Sequence, residues 1–221
     1  MEELLRAQWH SAVDGGRGAG HPQLAWAASE DAFLRLLARY REPHRHYHSV
    51  THLAAVMTTA EELMAQVDVD DPAAVRLALF FHDAIYDPRS TTNEAASATL
   101  ARAVLAPLGL PRTRTDTVKR LILSTVDHQP PAGCHAGSAA VVLDADLAIL
   151  SAEPAQYAAY VAGVRAEYGH VDQSGWRSGR AAVLQRLLDR PILYRSAPMA
   201  GREGRARANL AAELAGLGPP S

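Results

Sequence analysis

Apolar residues recur at every third or fourth position along most of this chain, and that spacing predicts amphipathic helices. Proline, glycine and helix-capping residues separate the successive apolar stripes. The clearest stripe runs from Val75 to His82 and follows Asp71-Pro72, a capping residue and a proline suited to the first helical position. The pattern predicts helices over about 2–13, 29–40, 50–66, 72–83, 93–108, 115–126, 141–150, 154–168, 176–188 and 202–217.

No segment alternates between apolar and polar residues for long, so the sequence predicts an all-α fold. Ser29, Ser49 and Thr115 are of the types favoured at helix N-caps, and we expect each to begin its helix. The glycine-rich stretch 14–20 predicts a flexible loop after the first helix. Because no linker or repeat divides the chain, we expect a single helical domain over residues 1–221.

The composition indicates a folded domain and limits the kinds of partner that it could bind. Hydrophobic residues make up 48% of the chain, which excludes global disorder. The net charge of −2, from 22 basic and 24 acidic residues, predicts no surface for nucleic acid or anionic membranes. The single cysteine, Cys134, excludes an intrachain disulfide. An acidic N-terminus and the lack of an apolar run of about 20 residues predict a soluble, cytoplasmic protein. Nothing in the sequence indicates an oligomeric state.

His82 and Asp83 directly follow the apolar run 78–81. Burying an imidazole and a carboxylate at such a place is costly unless a partner satisfies them. A bound metal ion is one such partner. The simpler alternative is a core histidine that is hydrogen-bonded to a helix-capping aspartate, and this pair of residues alone does not decide between the two.

A second segment places two histidines four residues apart. His48 and His52 would lie on one face of a helix at this spacing. His52 belongs to the inward stripe of the predicted helix 50–66, with Val56 and Leu63. His48 falls at or just before the start of that helix. His52 is therefore the better candidate for an interior ligand.

The segment around Asp144 and Asp146 carries two carboxylates in an apolar helical run. Residues two apart on an α-helix point about 200° apart, so both cannot face one metal ion. Leu143 and Leu147 define the apolar face, and Asp146 lies on it. We therefore expect Asp146 to be a ligand and Asp144 to face water.

Taken together, these segments resemble the HD-domain superfamily of metal-dependent phosphohydrolases, and most closely a bacterial group of predicted HD phosphohydrolases. The resemblance extends from about Tyr40 to Leu150 and is weaker beyond. It implies a metal-site core over about 40–150, with helices over 151–217 packed on it. The phrases that carry it are Glu42-Pro43-His44-Arg45-His46-Tyr47-His48, Phe81-His82-Asp83-Ala84-Ile85-Tyr86-Asp87, Asn93-Glu94 and Asp144-Ala145-Asp146-Leu147.

The resemblance implies a divalent metal ion held by His52, His82, Asp83 and Asp146. Nitrogen and oxygen donors of this kind suit Mn, Zn, Fe, Co or Ni and tolerate Mg. In related phosphodiesterases, a Tyr-His pair is followed four residues later by a second histidine; the first histidine acts as the general acid and the second binds the metal. This resemblance implies that His48 is the general acid. The expected reaction is attack of a metal-activated water on a phosphoester or phosphoanhydride of a nucleotide or another small phosphorylated molecule.

Four further residues are candidates for binding the substrate. Arg45, Lys119 and His128 could neutralise phosphate charge. In the resembled family, a polar pair in the place of Asn93-Glu94 lies near the metal, and a histidine in the region of His128 binds a second metal or the phosphate in several subgroups. Each of three residues also has a simpler explanation. Glu94 could be an acidic residue that the helix dipole favours in a first turn, Lys119 could be an exposed helix residue, and His128 could be a cationic residue favoured at a helix C-terminus.

Two other functions remain open from the sequence. A nucleotide-binding or metal-binding regulator could keep the pocket without turnover, although it would have less need of His48. Some HD-fold proteins bind two irons and oxidise their substrates, and His128 is compatible with that chemistry. The chain has no glycine-rich phosphate loop of the Walker type, and no motif identifies the substrate.

Overall fold

All regular secondary structure in the described part of the chain is helical. This computed structural model describes residues 1–16 and 26–218, and these ranges contain no β-strand, which confirms the all-α prediction for them. None of their helices combines the length and apolar character that crossing a bilayer requires. The helices are α1 (Glu2–Gly16), α2 (Trp26–Arg39), α3 (Val50–Met64), α4 (Pro72–Phe81), α5 (Asn93–Leu105), α6 (Arg112–Leu123), α7 (Ala136–Leu147), α8 (Pro154–Glu167), α9 (Gln173–Leu188), α10 (Ala197–Ala200) and α11 (Glu203–Leu217), with a 3-10 turn (Ala148–Ser151) between α7 and α8.

The start of α4 follows the signal in the sequence. Asp71 accepts a hydrogen bond from the backbone N–H of Ala74 at 3.0 Å, and Pro72 is the first helical residue. Asp172 caps α9 in the same way, by accepting from the N–H of Gly175 at 2.7 Å. In both helices a carboxylate oxygen satisfies one of the N–H groups that a helix start leaves unpaired.

Two of the three predicted N-caps are wrong. Ser29 lies inside α2, where its hydroxyl accepts a hydrogen bond from Trp9 Nε1 at 3.0 Å. Thr115 lies inside α6, and its hydroxyl donates to the carbonyl of Arg112 at 2.9 Å. Other partners therefore take the hydroxyl groups that a cap would use. Ser49 does precede α3, although its side chain makes no capping hydrogen bond.

Three further elements differ from the predicted helices. Helix α7 begins at Ala136 rather than at Val141, and the segment after Leu147 tightens into the 3-10 turn. Helix α10 has four residues, too few to produce a periodic pattern. Helix α1 continues through Gly16, so residues 14–16 of the predicted loop over 14–20 are helical, and residues 17–20 lie outside the described ranges.

Helix α4 is the centre of the fold. Its residues 77–81 are completely buried, and it packs against α1, α3, α5, α6 and α7. The ring of Trp9 contacts those of Phe80 and Phe81, with centroids 5.4 and 5.9 Å apart. Burial of each large apolar side chain contributes about 1.5–3 kcal/mol. The C-terminal end of α4, which carries His82, is thereby held in the interior.

The C-terminal helices close over the same core. Helix α11 packs against α9 and the 3-10 turn. Leu184 and Leu187 of α9 and Leu210 of α11 belong to an apolar cluster that also contains Leu5 of α1. Residues from both ends of the described chain therefore share one core.

Candidate metal centre

His82 follows the last residue of α4 and has one ring nitrogen already paired. Its Nδ1 donates a hydrogen bond to the carbonyl oxygen of Leu79 at 2.7 Å. When the ring is neutral, this bond keeps the proton on Nδ1 and leaves Nε2 with a free lone pair. Metal-binding histidines in proteins are commonly oriented by a hydrogen bond of this kind.

His52 brings a second imidazole to the same point from the first turn of α3. The ring centroids of His52 and His82 are 5.5 Å apart, and both side chains are buried. Nε2 of each ring has no hydrogen-bond partner. A buried polar atom without a partner costs about 1–3 kcal/mol, and a group bound between the two rings could satisfy both atoms.

Two carboxylates complete the cluster. Asp83 Oδ2 lies 3.2 Å from His82 Nε2 and 3.5 Å from His52 Nε2. Asp146 Oδ1 lies 3.5 and 3.6 Å from the same two nitrogens. The ligand atoms of His52, His82 and Asp83 fall within 4.8 Å of one another. These three residues therefore form a cluster that could hold a metal ion, and Asp146 lies beside it.

The electrostatics of the cluster favour a bound cation. Burial acts to raise the pKa of Asp83, but the imidazoles of His82 and His48 hold it well below its usual range. Burial also acts to raise the pKa of Asp146, whereas the hydrogen bond to His128 and the neighbouring His82 lower it. Against the effect of burial, the two carboxylates raise the pKa of His82 well above its usual value. Both carboxylates are thus ionised at neutral pH and attract a proton on His82 or a metal ion.

Asp144 and Asp146 point to different sides of α7, as their spacing predicts. The expectation that Asp144 faces water is wrong, because its side chain is completely buried. Oδ1 accepts a hydrogen bond from the backbone N–H of Arg195 at 2.8 Å, and Oδ2 accepts from the N–H and hydroxyl of Ser196 at 2.7 and 2.6 Å. Asp144 therefore holds the segment that leads into α10.

His48 lies just before α3, and its ring is oriented by a carboxylate. Nδ1 of His48 is 2.7 Å from Oε2 of Glu167, so Nδ1 carries the donated proton. Burial lowers the pKa of His48, but the charges of Asp83 and Glu167 outweigh it, and the net pKa is raised. The ring therefore retains a proton more readily than a free imidazole does.

Glu167, at the end of α8, is a site residue that the sequence does not reveal. Its Oε1 accepts three backbone hydrogen bonds, from residues 46, 47 and 48, at 2.9, 2.7 and 2.8 Å. Its Oε2 also accepts from the hydroxyl of Tyr86 at 2.9 Å. Burial acts to raise the pKa of Glu167, but its hydrogen bonds lower it to about 2. No local pattern pairs Glu167 with His48, because 119 residues separate them.

A cavity of about 640 Å³ opens onto the cluster. Its polar wall contains His48, Asp83, His128 and Asp146. A largely aromatic and apolar wall comes from α8, α9 and the loop between them, and it includes Tyr160, Val164, Tyr168, Val171, Trp176 and Val183. Residues from the loop before α5, from the start of α5 and from the segment after α6 complete the lining. This volume and this mixture of side chains are typical of sites for small molecules.

His128 and Glu94, both predicted to contact substrate, line this cavity. Nε2 of His128 is 3.0 Å from Asp146 Oδ2. The backbone of His128 has a φ of 52°, which is uncommon for a residue other than glycine, and its carbonyl accepts a hydrogen bond from Arg195. Glu94 lies in the first turn of α5. The adjacent Asn93 side chain binds both the N–H and the carbonyl of residue 87, which fixes the loop after Asp83.

The other two predicted substrate contacts are not at the site. Arg45 is wrong as a phosphate ligand, because its side chain is buried and donates to the carbonyls of His48, Asp83 and Ala84 at 3.0, 2.7 and 3.1 Å. Arg45 instead joins the His48 segment to the end of α4. Lys119 is exposed on α6 and, in the described ranges, does not line either cavity that contains His48, so the structure places it away from the cluster.

Comparison with known proteins gives no match for this chain. No protein-family model, no curated protein and no solved structure matches the chain. The function of the site therefore has to follow from its own geometry and chemistry.

Proposed function

We propose that the chain is a metal-dependent phosphohydrolase of the HD type, acting on a nucleotide or another small phosphorylated molecule. The observation that carries this proposal is the pair of buried Nε2 atoms, on His52 and His82, which lack a partner and face two ionised carboxylates. A divalent metal ion held by these histidines with Asp83 and Asp146 would satisfy all four side chains at once.

The donor set determines which ions are suitable. Two imidazole nitrogens and two carboxylate oxygens suit Mn, Zn, Fe, Co or Ni and tolerate Mg. When bound, such an ion lowers the pKa of a water molecule and polarises a phosphoryl oxygen, which is the chemistry that hydrolysis of a P–O bond requires. In an octahedral ion such as Mn or Mg, four protein ligands leave two positions for water and substrate.

His48 is the general acid in this proposal. Glu167 holds the proton on Nδ1, so Nε2 is the atom that gains and releases a proton. Glu167 also favours the protonated form of the ring through its charge and its hydrogen bond, and it is not one of the proposed metal ligands. His48 lines the same cavity as Asp83 and Asp146, so its ring borders the space that a phosphate bound at the cluster would occupy.

The shape of the cavity supports a small substrate rather than a polymer. Its volume of about 640 Å³ suits a molecule of nucleotide size. Tyr168 and Trp176 offer apolar surface for the part of the substrate that does not react, and Glu94 and Ser90 offer hydrogen-bond acceptors.

The proposal is tested by phosphate release. Metal-stripped protein would be refilled with Mn and given nucleotides, cyclic nucleotides and small phosphoesters, and free phosphate and pyrophosphate would be measured. We expect release from at least one substrate class, and none from Asp83→Ala treated in the same way. If protein that retains metal releases neither phosphate nor pyrophosphate from any of these substrates, the proposal is overturned and a metal-binding regulator is favoured.

A second candidate is a two-metal oxidative enzyme, favoured by one observation. His128 Nε2 lies 3.0 Å from Asp146 Oδ2, which adds a fifth potential ligand next to the cluster. Iron and protein would be quantified after refilling with Fe, and oxygen uptake would be followed. Two irons per chain together with substrate-dependent oxygen uptake would favour this candidate over phosphate release.

A further inference from the structure

A second cavity, of about 250 Å³, also opens onto the cluster. It shares His48, His128 and Asp146 with the first cavity, so the two spaces are neighbours. Its distinctive wall is the C-terminal part of α9 and the residues just beyond, with Arg186 and Arg190. The cluster thus borders a space with aromatic walls and a space lined by two arginines.

These two arginines have no acidic partner within hydrogen-bond distance in the described part of the chain. Arg186 is exposed in the last turn of α9, and its side chain makes no ion pair or hydrogen bond with the described residues. Arg190 donates one hydrogen bond, to the backbone carbonyl of Asp127 at 2.7 Å. Burial lowers the pKa of Arg190, and the neighbouring charges of Arg195 and Arg186 lower it further, against the opposing effect of Asp127. Positive charge therefore accumulates here without full compensation.

Other arginines beside the cavities are committed elsewhere. Arg180 forms a two-point ion pair with Glu213, with distances of 2.7 and 3.0 Å. Arg195 donates to the carbonyl of His128 at 3.0 Å and to Oε1 of Gln129 at 2.9 Å. Among the arginines that line these two cavities, Arg180 is paired with a carboxylate, whereas Arg186 and Arg190 are not.

We propose that Arg186 and Arg190 bind a second phosphate group of the substrate, while the first lies at the cluster. This inference rests on the proposed function and specifies its substrate as a small molecule with two phosphate groups. Guanidinium groups match phosphate oxygens in charge and geometry, and a bound anion would relieve the repulsion between the two arginines. The dipole of α9 also favours an arginine at position 186, but Arg190 lies beyond the end of the helix.

The test compares matched ligands that differ by one phosphate. Adenosine 5′-monophosphate and adenosine 3′,5′-bisphosphate would be titrated calorimetrically into Mn-refilled protein, with fructose 6-phosphate and fructose 1,6-bisphosphate as a second pair. All proteins would carry His48→Ala, which removes the proposed acid and leaves the proposed ligands, so that binding is measured apart from turnover. The variants are Arg186→Gln, Arg190→Gln and the double substitution. Arg177→Gln is the matched control, since Arg177 is exposed on the same helix and lines neither cavity.

The expected result is a preference for the bisphosphate in at least one pair. A charge-assisted contact predicts binding about tenfold tighter or more than that of the monophosphate. We expect each single substitution to reduce this ratio, the double substitution to bring it close to one, and Arg177→Gln to leave it unchanged. Equal affinity for the monophosphate and the bisphosphate in both pairs would overturn the inference. The absence of binding by all four ligands would also overturn it, and so would an affinity ratio that the double substitution leaves unchanged.

This outcome is separable from the proposed function. Phosphate release by the parent protein without any bisphosphate preference would overturn the second phosphate site and leave the phosphohydrolase in place. A bisphosphate preference that depends on both arginines, in a protein that releases no phosphate from any substrate, would sustain the anion site and overturn the enzyme.

Discussion

At the scale of single residues, Asp144 and Asp146 show how two neighbouring carboxylates acquire different roles. Asp146 Oδ1 faces the imidazoles of His52 and His82, whereas both oxygens of Asp144 accept hydrogen bonds from residues 195 and 196. We expect Asp146→Asn to lose metal retention, because an amide is a poor ligand. Asp144→Asn should retain the metal. It should lower the free energy of unfolding by about 2 kcal/mol, because the NH₂ group of the new side chain would face a backbone N–H that now donates to the carboxylate.

Metal content after gel filtration and urea unfolding of the metal-free proteins would measure the two effects. Exposed Asp31 provides the control substitution, Asp31→Asn, which should change neither quantity. Loss of the metal in Asp144→Asn with retention in Asp146→Asn would contradict the assignment of the two faces of α7.

His48 is expected to act in turnover and not in metal binding. His48→Ala should lower kcat by about 10²–10⁴, the usual contribution of a general acid, and leave the metal content unchanged. Steady-state rates and metal analysis on the same preparation would measure both. Loss of the metal in this variant would make His48 a ligand and require the roles in the site to be reassigned.

Glu167 should contribute stability that depends on pH. Its pKa falls from 4.5 to about 2 on folding because its hydrogen bonds outweigh burial, so the stabilisation is complete above pH 4.5 and is lost as the pH falls toward 2. Glu167→Gln should therefore be less stable than the parent by about 2 kcal/mol at pH 7, and this gap should shrink below pH 4.5. Urea unfolding of metal-free protein from pH 3 to 7 would measure it. A gap independent of pH would contradict this account.

At the scale of the elements, two glycines inside helices predict effects of opposite sign. A Cβ on Gly137 of α7 would lie 1.8 Å from the carbonyl oxygen of Asp68, so Gly137→Ala should destabilise the fold by at least about 1 kcal/mol. A Cβ on Gly179 of α9 meets no atom within 4 Å, so Gly179→Ala should raise stability by about 0.5–1 kcal/mol. Thermal unfolding of both variants would check the prediction, and effects of the same sign would contradict the packing of α7 or the position of α9.

The elements also show which helix signals can be read from sequence. Asp71-Pro72 predicts the start of α4 correctly, because a carboxylate cap and a proline act within four residues. Ser29 misleads because its hydroxyl binds Trp9, which is 20 residues away and which the local sequence does not specify. Thr115 misleads because its hydroxyl donates to the carbonyl of Arg112 within the same helix instead of capping it. Local chemistry thus determines a helix start only where no other partner competes for the capping atom.

At the scale of the whole molecule, the sequence indicates which residues carry chemistry and says less about what they meet. His52, His82 and Asp146 lie on inward faces that periodicity identifies, and the fold brings them together. Arg45 and Glu167 are different, because their partners come from distant segments or from backbone carbonyls. A charged residue near a motif resembles a substrate contact in sequence, and only the assembled fold shows that Arg45 binds the backbone.

The central claim is that His52, His82, Asp83 and Asp146 hold one metal ion, and anomalous diffraction tests it most directly. Diffraction from crystals of metal-stripped protein refilled with Mn would be measured at an X-ray wavelength at which Mn scatters anomalously. The account predicts the strongest peak at bonding distance, about 2.0–2.3 Å, from Nε2 of both histidines and from an oxygen of each aspartate. Peaks only at other histidines, or none, with both Nε2 atoms hydrogen-bonded to protein or water, would contradict it.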